Sequence, residues 1–445
     1  MVEIADTAVV GRASVKDVIG ERPQAAASPD SDALAPLTDV AVQQWRHLAE
    51  RAVEPNGYYL PDWEMAVNAS ARGRTGVSAL GAWSDASLAP KRFPAKWMTG
   101  SREENASKQE IEPRSDSIGT EKALDGVTRL IGLAPVISLW RAYNIPLPAL
   151  VSADPYGTLH TPLLDRDMAN DAVIRLMRQA RKAGAHALIL RDVSLEGAAM
   201  KAFAEVSQQG GMHPRVLQSH ARACLDATRD ADELLRDALG PKKLKELRRQ
   251  RNRLAEHGAI HFDVARTPEQ VASAVEIFLN LEASGWKAER GTALIQDEGD
   301  AAFVRRAAKA LAEIGQCEIV TLRSGDTPVA AAIVLRHQDR AFYFKLGVDE
   351  RFAKLSPGVQ LTLDVTRHLC ADPEIAMADS TANADHPMIN PIWRGRLAIG
   401  DVLIPLRRHD PVVSLIHGAM TLRRLIREPA RRAVHFIRKR QEKSS

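Results

Sequence analysis

Phe344-Lys-Leu-Gly-Val-Asp-Glu-Arg-Phe-Ala-Lys-Leu-Ser-Pro-Gly358, running straight into Val359 to Leu369, decides how this chain is read. Arg340 to Val348 has the alternation and composition of a strand. It opens into a short basic loop, and a Ser-Pro-Gly corner starts a helix. Ser356 suits the N-cap and Pro357 the first helical position, where its missing N–H costs nothing. Gly358 lets another group approach the backbone closely. The free amides of this helix start, with Arg351 and Lys354 alongside, are predicted to form a seat for phosphate oxygens.

Working outward, the second half reads as strand (Ala259 to Ala265), helix from Thr267-Pro-Glu-Gln to Ala283, and helix from Gly299 to Ile314. The Thr267 start has the form of a capping box. Three strands follow, Cys317 to Arg323, Pro328 to His337 and Arg340 to Val348, then the Ser-Pro-Gly helix. A strand Ile375 to Asp379, a short helix near Pro387 to Trp393 and a strand Leu397 to Pro405 complete the order β-α-α-β-β-β-α-β-α-β.

The first half repeats this plan without the opening strand. Helices are expected over Val40 to Ala52 and Pro61 to Ala71, and strands over Val77 to Trp83, Thr128 to Leu139 and Leu147 to Ser152. Helix Met168 to Ala183, strand Ala187 to Leu190, helix Leu195 to Gln208 and strand His213 to His220 follow. The organisation expected is a disordered N-terminus (1–38), a first domain (39–230) with a mobile insert (85–125), and a basic helical connector (231–258). A second domain (259–406) and a basic amphipathic tail (407–445) complete it.

At 445 residues the chain is long enough for two domains, and 26% charged residues with 45% hydrophobic ones is a soluble globular balance. No apolar run approaches the roughly 18 residues of a membrane span, and the start lacks a signal pattern. Three scattered cysteines read as reduced thiols, which fits a cytoplasmic protein. The net charge of +4 conceals two basic stretches, Lys242 to Arg253 and Arg407 to Lys443. The second interleaves arginines with Leu422, Leu425, Ile426, Val434, Phe436 and Ile437. It reads either as a solvated helix packed by one face or as a contact for an anionic membrane surface or an acidic protein such as a polysaccharide synthase, with nucleic acid not favoured.

Leu281-Glu-Ala-Ser-Gly-Trp-Lys-Ala-Glu-Arg-Gly-Thr-Ala293, the segment Phe344 to Gly358 and the connector Lys242 to Leu254 together resemble the CelD/BcsL group. This is a set of bacterial GNAT-superfamily acyltransferases linked to cellulose or other polysaccharide biosynthesis. The resemblance is strongest from Lys242 to Pro405. It implies an α/β fold of two tandem GNAT-like domains with mixed sheets, as also in FemAB-type aminoacyl transferases. It further implies acetyl-CoA or another acyl-CoA as co-substrate, with no metal, and an amine or hydroxyl acceptor on a polysaccharide precursor. The chain would work in the cytoplasm, peripheral to the inner membrane. Family members carry Arg/Gln-x-x-Gly-x-Gly/Ala at the pyrophosphate loop, and Arg351 to Gly358 lacks the first glycine. They often use a late tyrosine to protonate the leaving thiolate, and no tyrosine follows Tyr343 here.

On this reading the coenzyme would use Gly347, Val348, Arg351, Lys354, Ser356, Pro357 and Gly358. Glu282 and Asp379 are the candidate catalytic carboxylates, and Trp286, Lys287 and Tyr156 the candidate acceptor contacts. The plainer readings are a core plug for Trp286, a helix-end cation for Lys287 and an Asx turn for Asp379. Two rival functions are an aminoacyl transferase using charged tRNA and an inactive scaffold of a polysaccharide synthase. No Walker loop, dinucleotide fingerprint, zinc-protease or serine-esterase motif is present.

Overall fold

The structure, a computed structural model, describes residues 34–71, 76–84, 128–153, 156–284 and 291–441. The expected insert (85–125) and residues 1–33 lie outside them. In the first half, helices Val42–Glu50 and Pro61–Ser70 precede strands β1 (Ser78–Trp83), β2 (Leu130–Ser138) and β3 (Ala149–Ser152). The short β4 (Leu163–Leu164) sits beside β2; then come helix Ala169–Lys182, β5 (Ala187–Ser194), helix Ala198–Gln209 and β6 (Arg215–Asp226). The helix Ala231–Ala255 leads to β7 (Ile260–Ala265), helices Pro268–Glu282 and Glu298–Glu313, then β8 (Cys317–Ser324) and β9 (Thr327–His337). β10 (Arg340–Val348), helix Pro357–Cys370, β11 (Met377–Asp379), β12 (Gly395–Pro405) and helix Pro411–Gln441 follow.

Local chemistry explains the element ends. Thr267 and Gln270 exchange side chain-to-backbone hydrogen bonds at 3.3 Å, with Pro268 in the first turn, so the helix starts where the capping box places it. Gly240 takes φ 69° and ψ 167°, a conformation open to glycine, and with Pro241 it kinks the connector helix.

The two halves share one sheet in the order β1-β2-β3-β5-β12-β6-β11-β10-β9-β8-β7. Each half contributes one parallel pair, β3 with β5 and β10 with β11, and the other pairings are antiparallel. The last strand of each half crosses to the other: β12 lies against β5, and β6 lies against β11. The strand order therefore reads the same from either end, apart from β7. This exchange explains why β6 runs to Asp226, past the expected His220, since its far end buries Ala223, Cys224 and Leu225 between β12 and β11. The short helix expected near Pro387 is instead a set of hydrogen-bonded turns over His386 to Trp393.

Aromatic packing also joins the halves. Trp63 meets Phe303 and Phe344 edge-on at 4.9 Å, and Tyr58 meets Phe342 and Phe344 at 5.8 and 6.0 Å. Each such pair contributes about 0.5–1.5 kcal/mol beyond its buried area. Among the described residues no helix is long and apolar enough to cross a membrane.

Candidate functional site

β10 is paired to β11 through Phe342↔Asp379, where the parallel ladder stops. From there β10 runs on to Val348 with β9 as its hydrogen-bonded neighbour, and its register shifts between Tyr343 and Lys345. The ladder ends because β11 ends, and the carboxyl ends of parallel strands are where α/β sheets bind ligands. The Thr381 hydroxyl, just past β11, stays on the Tyr343 carbonyl at 2.7 Å.

The helix mouth beside this ladder end is built as the sequence suggests in outline and differently in detail. Pro357 occupies the first turn, and the helical ladder begins with the Gln360 amide on the Ser356 carbonyl at 3.0 Å. The amides of Gly358 and Val359 precede that ladder and have no acceptor within the helix. Ser356 sits at the N-cap in the left-handed region, φ 54°, and its side chain makes no cap bond. That corrects the expectation that its hydroxyl caps the helix. Pro357 and Gly358 are buried, while Ser356 and Val359 are half-buried. A Cβ on Gly358 would lie 3.0 Å from Leu346 Cδ2 and 3.1 Å from Val348 Cγ1, so this glycine lets the helix press on β10.

Arg351 does not project freely toward the mouth. Its guanidinium forks onto Asp349, with Nη2 2.7 Å and Nε 3.1 Å from Oδ2, and this contact holds the Asp349 carboxyl below the usual range. Lys354 is exposed. Further cations come from the connector: Gln360 Nε2 donates to the Leu247 carbonyl at 2.8 Å, and Arg251 pairs with Asp364 at 2.8 Å. Exposed Lys245, Arg248 and Arg249 flank Leu247 on that helix.

Glu282 is buried, and its carboxylate accepts the Leu294 amide at 2.9 Å, tying the helix end to the next turn. Gly347 packs against that helix end; a Cβ there would lie 2.7 Å from the Glu282 backbone nitrogen. Gly347→Ala must therefore push strand or helix aside, and a stability loss of about 1–3 kcal/mol is expected, read as a lower urea midpoint. The Val348 carbonyl accepts from Ser284 Oγ at 2.6 Å. Trp286 and Lys287 lie outside the described residues. Tyr156 stacks on Phe303 at 4.8 Å and bonds Asp300, so it links the first half to the second.

Asp379 gathers the group that the sequence alone did not bring together. Fully buried, it faces Arg222 Nη1 at 3.3 Å, and its Oδ1 accepts the Thr381 amide at 2.7 Å. Arg222 Nη2 donates to the Thr158 carbonyl at 2.7 Å. Tyr58 joins them from the first half, its hydroxyl beside Thr158 and Thr381; burial pushes the phenol up, keeping it protonated. The Tyr58 and Thr158 hydroxyls and Arg222 Nε make no well-formed hydrogen bond among the described residues. Buried polar atoms left this way mark a place where a bound group or water belongs.

A polar row leads away along β6, where Arg222, His220 and Gln218 alternate onto one face. Gln218 donates to Asp401 at 2.7 Å, and Asp401 accepts the Asp192 amide at 2.9 Å. Burial, then the neighbouring Asp192 carboxylate, pushes the Asp401 carboxyl up to about 6. Asp192 itself holds φ 43°, a strained value for a residue with a side chain. Beyond Asp379, an open groove with a cavity volume of about 490 Å³ is lined by residues including His386, Asn390, Arg394 and Arg396. Trp393 is a core residue, its indole N–H on Thr366 Oγ1 at 2.9 Å. Among the described residues no His, Cys, Asp and Glu group is placed to hold a metal.

Residues 241–386 match the family model described as acetyltransferase (GNAT) domain. No curated protein matches. Among solved structures, FemX is 11% identical, with a TM-score of 0.49, over 85% of this chain and 98% of its own. L-PGS from Bacillus licheniformis is 14% identical, with a TM-score of 0.41, over 67% of this chain and 87% of its own. A tandem GNAT protein from the clavulanic acid biosynthesis pathway is 14% identical, with a TM-score of 0.31, over 63% and 81%. The matched segment contains the connector from Pro241 onward, the strand–turn–helix mouth and Asp379. Residues 241–386 are thus similar to an acetyltransferase (GNAT) domain, within a mixed α/β chain whose two halves share one large mixed sheet.

Proposed function

We propose that this chain transfers an acyl group, most simply acetyl, from coenzyme A to an amine or hydroxyl of an envelope or extracellular polysaccharide precursor. The observation that carries the reading is the end of the β10–β11 ladder beside a helix start, inside the segment that matches the GNAT domain model. The polysaccharide acceptor rests on the CelD/BcsL resemblance.

In this reaction the acceptor nitrogen or oxygen attacks the thioester carbonyl, the C–S bond breaks, and the nucleophile's proton passes through solvent to the departing thiolate, which leaves as free coenzyme A. The thioester lies along the free edge of β10, and the diphosphate lies over the Gly358 and Val359 amides. Lys354 and the connector cations supply charge there, because Asp349 already neutralises Arg351. Tyr58, whose phenol burial keeps protonated beside Thr158 and Thr381, is a hydrogen-bond donor to the site and not the proton source for the thiolate. Arg222, held by Asp379, orients the acceptor through Nε. Approximation and fixed dipoles carry most of the rate.

Titration calorimetry with acetyl-CoA tests the donor. Binding that weakens about tenfold when Lys354→Ala is combined with Arg248→Ala supports it, and absence of any coenzyme binding rejects it. The exposed connector cations Lys245, Arg248 and Arg249 favour one second reading, an aminoacyl donor carried on tRNA. Release of labelled amino acid from charged tRNA, without coenzyme binding, would select that one.

A further inference from the structure

The helix Pro411–Gln441 docks by an apolar face of its first turns. Val413, Ile416 and Met420 are buried against Leu139, Val151, Ile189 and Leu403. On the other side of the same helix, Leu415, Leu422, Leu425 and Ile426 are 61%, 59%, 63% and 63% exposed. Positions 415, 422 and 426 recur at spacings of seven and four, so they line up along one stripe. Trp140 is 57% exposed on helix Leu139–Tyr143, whose Tyr143 ring lies 4.0 Å under the Arg423 guanidinium. Large apolar side chains grouped this way on a surface mark a contact site.

Charge selects the occupant. From Pro411 to Gln441 the sequence has Arg423, Arg424, Arg427, Arg431, Arg432, Arg438, Lys439 and Arg440 against the single acid Glu428. Two copies of so cationic a helix repel each other, whereas an anionic lipid surface takes both the cations and the apolar stripe. We propose that this helix, with Trp140 beside it, lies in the interface of an anionic lipid bilayer and holds the protein there. The inference is independent of the reaction proposed above.

Co-sedimentation of the full chain with phosphatidylcholine vesicles, with and without phosphatidylglycerol, tests it at about 0.1 M salt. Binding is expected with phosphatidylglycerol and at least about tenfold weaker without it. Leu422→Ser with Leu425→Ser and Ile426→Ser, all at exposed positions, should release the protein while its circular dichroism and melting stay unchanged. Arg431→Glu with Arg432→Glu should weaken binding independently. Equal binding to both vesicles overturns the proposal, as does binding that survives the serine substitutions. A dimer in light scattering that the serine variant dissolves, with no vesicle binding, assigns the stripe to self-association and overturns it too.

Discussion

Asp379→Asn is expected to lower kcat by about 100-fold or more while leaving coenzyme affinity within a few-fold. The carboxylate is fully buried and matched by Arg222, which in turn is the buried cation reaching toward Thr158 and Tyr58. Replacing the carboxylate by an amide keeps the acceptor for the Thr381 amide but leaves the guanidinium without its counter-charge. Arg222 then loses its fixed orientation, and the acceptor loses the group that places it.

Stability must be separated from chemistry here, because breaking one side of a buried ion pair costs about 3–5 kcal/mol. Arg222→Ala alone should therefore melt early and say little about mechanism. The double variant Arg222→Met with Asp379→Leu removes both charges and refills the space, so melting should return close to that of the parent. Its activity should stay as low as that of Asp379→Asn. A double variant that regains both stability and turnover would show that the pair is merely structural, and would move the chemistry elsewhere in the crevice.

The fold was legible because its signals are local and repeated. Thr267-Pro-Glu-Gln starts a helix by capping chemistry that operates within four residues, and Gly240-Pro241 kinks one for equally local reasons. The alternation over Cys317 to Val348 gave three antiparallel strands in the right order. What periodicity could not contain was the exchange of β12 and β6 between halves, since pairing partners far apart in sequence leave no trace in either strand. The candidate site failed in the same way. Asp379 stands out as a carboxylate ending a strand, but Arg222, Tyr58 and Thr158 join it only because β6 crosses into the second half. A buried-looking arginine in an apolar stretch, Ala221-Arg-Ala-Cys224, was the one sequence signal that could have pointed to them. Arg351 has a partner that the sequence reading left out: Asp349, two residues before it, binds the guanidinium.

Acidification should remove the stability that a neutral His337 contributes. The ring is buried on β9, where Nδ1 accepts the Asn56 amide at 2.8 Å and Nε2 meets the Ala49 carbonyl at 2.9 Å. That pair of partners fits the neutral ring with its proton on Nε2; a second proton on Nδ1 would face an N–H. Burial pulls the imidazole down to about 4 from 6.5. Because the folded value lies below the unfolded one, the unfolded chain takes up the proton first as pH falls. The contribution is fully present above about pH 6.5 and drains away between there and about pH 4, a loss on the order of 3 kcal/mol. Asp401, raised to about 6, acts in the opposite sense over much of this window, because its protonated form is the one the fold favours. The informative measurement is therefore a difference. Urea midpoints of the parent and of His337→Gln, whose amide can accept from Asn56 and donate to Ala49, should converge as pH falls from 7 to 4.5. If the two curves stay parallel over that range, His337 is not the group that titrates. The same pin joins β9 of the second half to the first-half helix Val42–Glu50 and the loop after it, next to the Tyr58 that completes the candidate site. Loss of activity on acidification should then follow the fall in His337-dependent stability, since a chain that releases this loop also withdraws Tyr58 from Asp379.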